Sequence, residues 1–287
     1  MLISIIINGL LIGCIYSLIA VGLTVIFGVM RIINMFHGDA VMLGMYSSYL
    51  LHEKYGISPY LAPVITAPLF LVIGLAIYKV LEPIPPKQRE MSSLIITLGI
   101  SFVTATLAML IWTADYRTVN LSYSQEVFNL FGTRIGYPAL FSSTFSVILI
   151  IAFYLFMTKT YLGMSIRATA IDPVTASLYG VNVKVISMLT FGIGLVLAGI
   201  AGAILSPIFY IYPFVGSNFV IKAFTIVVLG GMGSVTGALI GGLLLGVSEA
   251  LASTFLEYSM KDIIAFVIFL SVLIFKPSGI LGGKSRV

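Results

Sequence analysis

Few charges, long apolar runs and short polar interruptions between them predict an all-α polytopic membrane protein. Of its 287 residues, 60% are hydrophobic and 9% charged, with a mean hydropathy of +1.14. Soluble domains run at about 25% charged, and repeated bilayer spans explain such a shortage where a soluble core does not. The first predicted partner is therefore the lipid bilayer. A net charge of +5 fits basic residues gathered on one membrane side, so nucleic acid is not an expected partner. The single cysteine, Cys14, lies in an apolar run, which argues against a disulfide framework or a metal cluster.

The start, MLISIIINGLLIG, lacks the basic region of a signal peptide, so Leu2–Met30 reads as a retained membrane segment. It exceeds the roughly 20 residues that a crossing needs. RIINMFHGDA (31–40) interrupts it, and residues 41–51 are apolar again but too short to span alone. Residues 60–81 form a span with Pro63 and Pro68 as expected kinks. A Pro-rich charged loop (82–90), a span (91–113), a loop (114–138) and another span (139–158) follow.

Next comes GMSIRATAIDPVTASLYGVN (163–182), polar beside its neighbours and carrying the signals of one short helix over 173–179. Asp172 is a good N-cap, because its carboxylate accepts free N–H groups of the first turn. Pro173 falls at the first helical position and Gly180 suits the left-handed residue past the end. Such a helix is about 10 Å long, of a size to be gripped from outside the membrane. Residues 185–205 form a Gly- and Ala-rich span and 206–218 a loop. Residues 219–256 are apolar but broken at GGMGSVTG (230–237), and the last span starts at Lys261 before a basic tail. Eight to ten membrane segments result, in one transmembrane domain covering 1–287, the count depending on whether the broken regions cross or re-enter.

Three loops carry three basic residues each: Lys79, Lys87 and Arg89; Lys159, Arg167 and Lys184; Lys276, Lys284 and Arg286. The positive-inside rule puts these loops and the C-terminus in the cytoplasm, with 114–138 outside and the side of the N-terminus open.

Enzyme machinery is not evident. His37 and His52 have no cysteine or second histidine at ligand spacing, and no GxSxG occurs. The tail GGKS (282–285) lacks a P-loop's upstream glycine, since Ser278 stands there, and lacks its flanking strand and helix. No cofactor is expected, and any ATP energy must come from a partner.

Glycine-interrupted segments in the two halves of a membrane chain point to a transport pathway, because broken helices expose backbone groups and half-helix ends. The candidates are Asn34, His37, Gly38 and Asp39 in the first break, and Gly230, Gly231, Gly233, Ser234 and Gly237 in the second. Glu249, inside the following helix, joins them. Each has a structural alternative. Small-xxx-small pairs such as Gly9/Gly13 and Gly242/Gly246 let helices cross closely. The first break could be a hydrated interface. Glu249 could pair with Lys222 or Arg31, an explanation favoured over substrate contact.

These residues carry a resemblance to the permeases of branched-chain amino acid ABC transporters, specifically the smaller permease subunit. It rests on IYSLIAVGLTVIFGVMRIINMFHGDAVMLGMY (15–46), on 163–182, on KAFTIVVLGGMGSVTGALIGGLLLGVSEAL (222–251), and on MKDIIAF and KPSGILG near the end. Departures are Met35 where Phe is usual, Phe36 where Ala is usual, and Thr236 in place of Pro. The resemblance implies an ABC importer permease fold with an internal repeat. It also implies a second permease, two cytoplasmic ATP-binding subunits, and an external substrate-binding protein as partners. The ATPases would dock on the loop 159–184, through Gly163, Arg167, Asp172, Pro173, Ala176, Leu178, Gly180 and Asn182. Family members also carry urea and other amides. A self-sufficient secondary transporter or channel, using His37, Asp39 or Glu249 for ion coupling, is the alternative from another class.

Overall fold

A computed structural model describes residues 2–130, 132–255, 261–276 and 279–280. The tail GGKS, with Lys284 and Arg286, lies outside the described residues. The order of helices is α1 (Leu2–Met30), α2 (His37–Tyr55), α3 (Ala62–Leu81), α4 (Arg89–Trp112), α5 (Tyr137–Lys159), α6 (Tyr161–Ile171), α7 (Pro173–Leu178), α8 (Val183–Leu205), α9 (Val215–Gly230), α10 (Val235–Phe255) and α11 (Lys261–Phe275). A two-stranded antiparallel hairpin, β1 (Val127–Leu130) with β2 (Thr133–Gly136), sits in the loop before α5. Among the described residues, six helices are long and apolar enough to cross a membrane: α1, α3, α4 with its preceding turn, α5, α8 and α10. With α2, α9 and α11 the described residues hold nine long helices, inside the expected eight to ten. Pro63 opens α3, where helix-start N–H groups lack partners anyway, while Pro68 lies within it.

Contacts define two ends. Lys184 pairs with Glu82 at 3.4 Å, joining two of the three basic loops. The third joins them through Ile280, whose N–H donates to Leu229 O near the end of α9. This is the basic end. At the opposite end Ser4 lies 3.0 Å from Thr133 of the hairpin, and Ser206 donates to Ser48 at 3.0 Å. The chain therefore starts at the end opposite the basic loops, a point that charge counting left open.

Glycine contacts hold the centre together. A Cβ on Gly22 of α1 would lie 2.6 Å from Gly194 O of α8, and one on Gly44 of α2 2.1 Å from Gly199 O. Backbones this close let dispersion and weak polar contacts replace the hydrophobic drive that lipid does not supply.

The packing reveals an inverted repeat. The α1 helix packs on α10 as α8 packs on α3, α1 meets α9 as α8 meets α2, and α1 with α8 and α2 with α9 meet directly. Since α1 runs toward the basic end and α8 away from it, the two units are inverted. In each, a long helix is followed by a non-helical segment and a helix that begins inside the bundle. The segments are 31–36 and 206–214, and their following helices abut at Gly38 and Gly216, where a Cβ on Gly38 would be 2.0 Å from Gly216 O. Inverted repeats with broken helices meeting at the midplane are a recurrent transporter architecture.

Candidate functional site

The short helix predicted in the polar stretch is α7, and its caps are the expected ones. Asp172 Oδ1 accepts the Val174 N–H at 2.9 Å, and the Thr175 hydroxyl donates to Asp172 Oδ2 at 2.5 Å. The Thr175 contacts, side chain first, hold this carboxyl below its ordinary value, so the cap is ionised at neutral pH beside the positive helix end. Pro173 opens the helix, and Gly180 ends the region with φ +85°. The helix stops at Leu178, one residue before the expected Tyr179, whose N–H donates back to Thr175 O and Ala176 O. Asn182 caps α8 by accepting the Val185 N–H at 3.2 Å. Only Ala176 of α7 is buried, while Leu178 and Tyr179 are 81% and 85% exposed. A capped helix thus presents apolar tips at the basic end.

The same stretch also contains α6, which was not foreseen. Thr160 caps it by accepting the Gly163 N–H at 3.1 Å, and a Cβ on Gly163 would lie 2.4 Å from Phe156 O of α5. Arg167 on α6 lines a cavity of about 200 Å³ with Ser234 and Thr236, so this loop reaches the second break.

The first break runs inward from the basic end as non-helical chain that closes in a turn before α2. His37 Nε2 lies 2.9 Å from Ile19 O, and Ile19 is roughly 16 Å along α1 from Met30 at 1.5 Å per residue. Asn34, His37 and Asp39 are buried at that depth, which removes the hydrated-interface alternative. Backbone groups there need partners, and α4 supplies them. The Ile33 N–H donates to Ser93 Oγ at 3.2 Å and the Met35 N–H to Thr97 Oγ1 at 3.0 Å, with Thr97 Oγ1 also 3.1 Å from Ile33 O. Ser93, Thr97 and Ser101 recur every fourth residue, so they share one face of α4. Sequence reasoning missed this stripe by treating 91–113 as a plain span. The signal was the spacing in SLIITLGIS. At Gly38 and Gly216 two positive helix ends meet, and the Asp39 carboxylate in the first turn of α2 offsets them.

The second break differs. It is a turn at the basic end, with Gly231 at φ +100° and Gly233 at φ +88°, closed by the Gly237 N–H donating to Ser234 Oγ at 3.0 Å. Gly230 and Gly237 touch across it, and a Cβ on Gly28 of α1 would be 2.8 Å from the Gly233 Cα. The Thr236 hydroxyl lies 3.2 Å from Ser234 Oγ. Deeper in α10, Glu249 takes Lys222 as its partner and not Arg31. Lys222 Nζ donates to Oε1 and the Tyr16 hydroxyl to Oε2 at 3.0 Å, tying α9, α10 and α1. The predicted pathway residues therefore form two layers, one deep (Asn34, His37, Gly38, Asp39) and one at the basic end (Gly230, Gly231, Gly233, Ser234, Gly237), with Glu249 between α9 and α1.

Residues 5–273 match the family described as branched-chain amino acid transport system, permease component. The chain is 33% identical over 296 residues to LivH of Salmonella typhimurium, a high-affinity branched-chain amino acid transport system permease protein, covering 96% of this chain and 94% of that one. It is also 33% identical to BraD of Pseudomonas aeruginosa, with coverage of 96% and 94%. A probable branched-chain amino acid transport permease protein of Methanocaldococcus jannaschii is 29% identical, with coverage of 92% and 88%. Among solved structures, PsaBC from Streptococcus pneumoniae in complex with Fab matches with a TM-score of 0.50 at 12% identity, over 94% of this chain and 91% of that one. At that identity the match speaks for the fold alone. Family match and relatives agree over nearly the whole length: this chain belongs to the branched-chain amino acid ABC transporter permeases.

Proposed function

We propose that the chain is the membrane-spanning subunit of an importer that brings branched-chain amino acids into the cell. ATP is hydrolysed by two partner subunits in the cytoplasm, substrate is delivered by an external binding protein, and a second permease, identical or different, completes the pathway. The basic end is the cytoplasmic end, with the C-terminus, and 114–138 faces outward. The cell membrane is thus crossed many times by one domain, 1–287. The observation that carries this reading is α7: a rigidly capped helix with exposed apolar tips, in a loop (159–184) whose Arg167 reaches the second break. Gly163, Asp172, Pro173, Ala176, Gly180 and Asn182 shape that loop, and Leu178 is its principal contact for the ATPase. Motion passed through the loop shifts the turn at Gly230–Gly237, and the deep layer at Asn34, His37, Gly38 and Asp39 lines the substrate's route.

The relatives' names favour branched-chain amino acids over urea or amides. The engagement of Glu249 by Lys222 and Tyr16 weighs against its use as an ion-coupling carboxylate in a secondary transporter. Leu178→Asp tests the reading. The position is exposed, so insertion and folding stay as in the parent, whereas co-purification of the ATPase subunit falls to background. Undiminished co-purification would remove α7 from the docking surface.

A further inference from the structure

A cavity of about 320 Å³ opens at the basic end between the end of α1, the start of α4, the end of α6 and the turn after α9. That is within the range of small-molecule sites, roughly 300–1,000 Å³. Its walls carry one cation, Arg31, and one anion, Glu90, with the apolar side chains of Phe27, Ala170 and Met232 and the backbone of Gly233. Arg31 and Glu90 do not pair with each other, since the ion pairs among the described residues are Lys184–Glu82 and Lys222–Glu249. Arg31 also holds a left-handed backbone, φ +52°, which residues with a Cβ rarely adopt. Strained backbone of this kind concentrates at ligand sites and switch regions.

We infer that this cavity binds a free amino acid with an apolar side chain, taken from the basic end. A zwitterion matches the walls group by group. The guanidinium of Arg31 takes the carboxylate in a charge-assisted contact, Glu90 takes the ammonium, and Phe27, Ala170 and Met232 enclose the side chain. Phosphate or a dicarboxylate would meet the Glu90 charge, and a diamine the Arg31 charge.

Position gives the site its consequence. Ala170 lies two residues before the Asp172 cap of α7, and Gly233 belongs to the turn that rests on α1. A ligand held there fastens α1, α4, α6 and the second break to one another. If these elements shift during transport, the bound amino acid slows the cycle. The site then serves as a product brake on the importer, a role that rests on the function proposed above, whereas binding itself does not.

Two measurements separate these points. The first is equilibrium binding of radiolabelled leucine to the purified permease–ATPase complex without the external binding protein. Binding is expected in the parent, and roughly tenfold or weaker affinity in Arg31→Gly, which also relieves the backbone, and in Glu90→Gln. Isoamylamine, without a carboxylate, and 4-methylvalerate, without an ammonium, should fail to compete. Equal binding by parent and both variants, or none by the parent, overturns the site. The second is leucine uptake into vesicles holding the whole transporter, empty or preloaded with leucine. Preloading should slow initial uptake severalfold in the parent and less in both variants. Uptake indifferent to preloading overturns the brake, while absence of uptake from every vesicle counts against the importer reading and leaves the binding result to decide the site.

Discussion

The two helix breaks look alike in composition and are opposite in construction. The deep one, 31–36, is non-helical chain whose Ile33 and Met35 N–H groups are bound by hydroxyls of α4, a helix some sixty residues away in sequence. The one at 231–234 is a turn that satisfies itself through Ser234 and positive-φ glycines. Its flanking helices touch at Gly230 and Gly237 and are tied deeper in by a buried ion pair, Lys222 with Glu249. Glycine content therefore does not tell a deep break from a turn at the membrane end. Turns of this kind need residues that tolerate positive φ, whereas non-helical chain inside a membrane needs hydrogen-bond partners. The true structural counterpart of 31–36 is 206–214, which enters from the other end.

The contrast can be tested at its most consequential point, the ion pair. Lys222→Met leaves Glu249 buried without its counter-charge and should cost about 3–5 kcal/mol, while Lys222→Met with Glu249→Leu should recover most of that loss. Thermal unfolding of the detergent-purified protein reads both. A single variant as stable as the parent would show that α9 and α10 are not held by the pair. At the deep break Thr97→Val should cost about 2 kcal/mol by stranding the Met35 N–H and removing a partner of Ile33 O. Hydrogen exchange over residues 31–40 should quicken at the same time. Unchanged exchange would mean that the α4 hydroxyls do not brace the segment. The smallest effect belongs to the turn: Gly233→Ala, at φ +88°, should cost about 1–2 kcal/mol and leave exchange over 31–40 untouched.

Much of the molecule was legible in the chain. The α7 helix was, because Asp172, Pro173 and Gly180 act on their immediate neighbours; only its last residue differed. So were the close helix crossings at Gly9, Gly13, Gly242 and Gly246, where a Cβ on Gly246 would stand 2.4 Å from Gly9 O. The hairpin before α5 passed as plain loop, its strands being four residues each, and α6 was hidden behind the stronger caps of α7. Glu249 had two candidate cations, and nothing local could choose between them.

By itself, then, the sequence determined the membrane class, the caps of α7 and the gathering of the basic loops at one end. These follow from solvation and from backbone bonds made within a few residues. Tertiary structure alone decided how deep each break lies, that 31–36 mirrors 206–214, and that Lys222 is the partner of Glu249. A helix closes its own hydrogen bonds, so its sequence announces it. Non-helical backbone and buried charge must borrow partners from distant segments, and only the folded chain shows which ones they take.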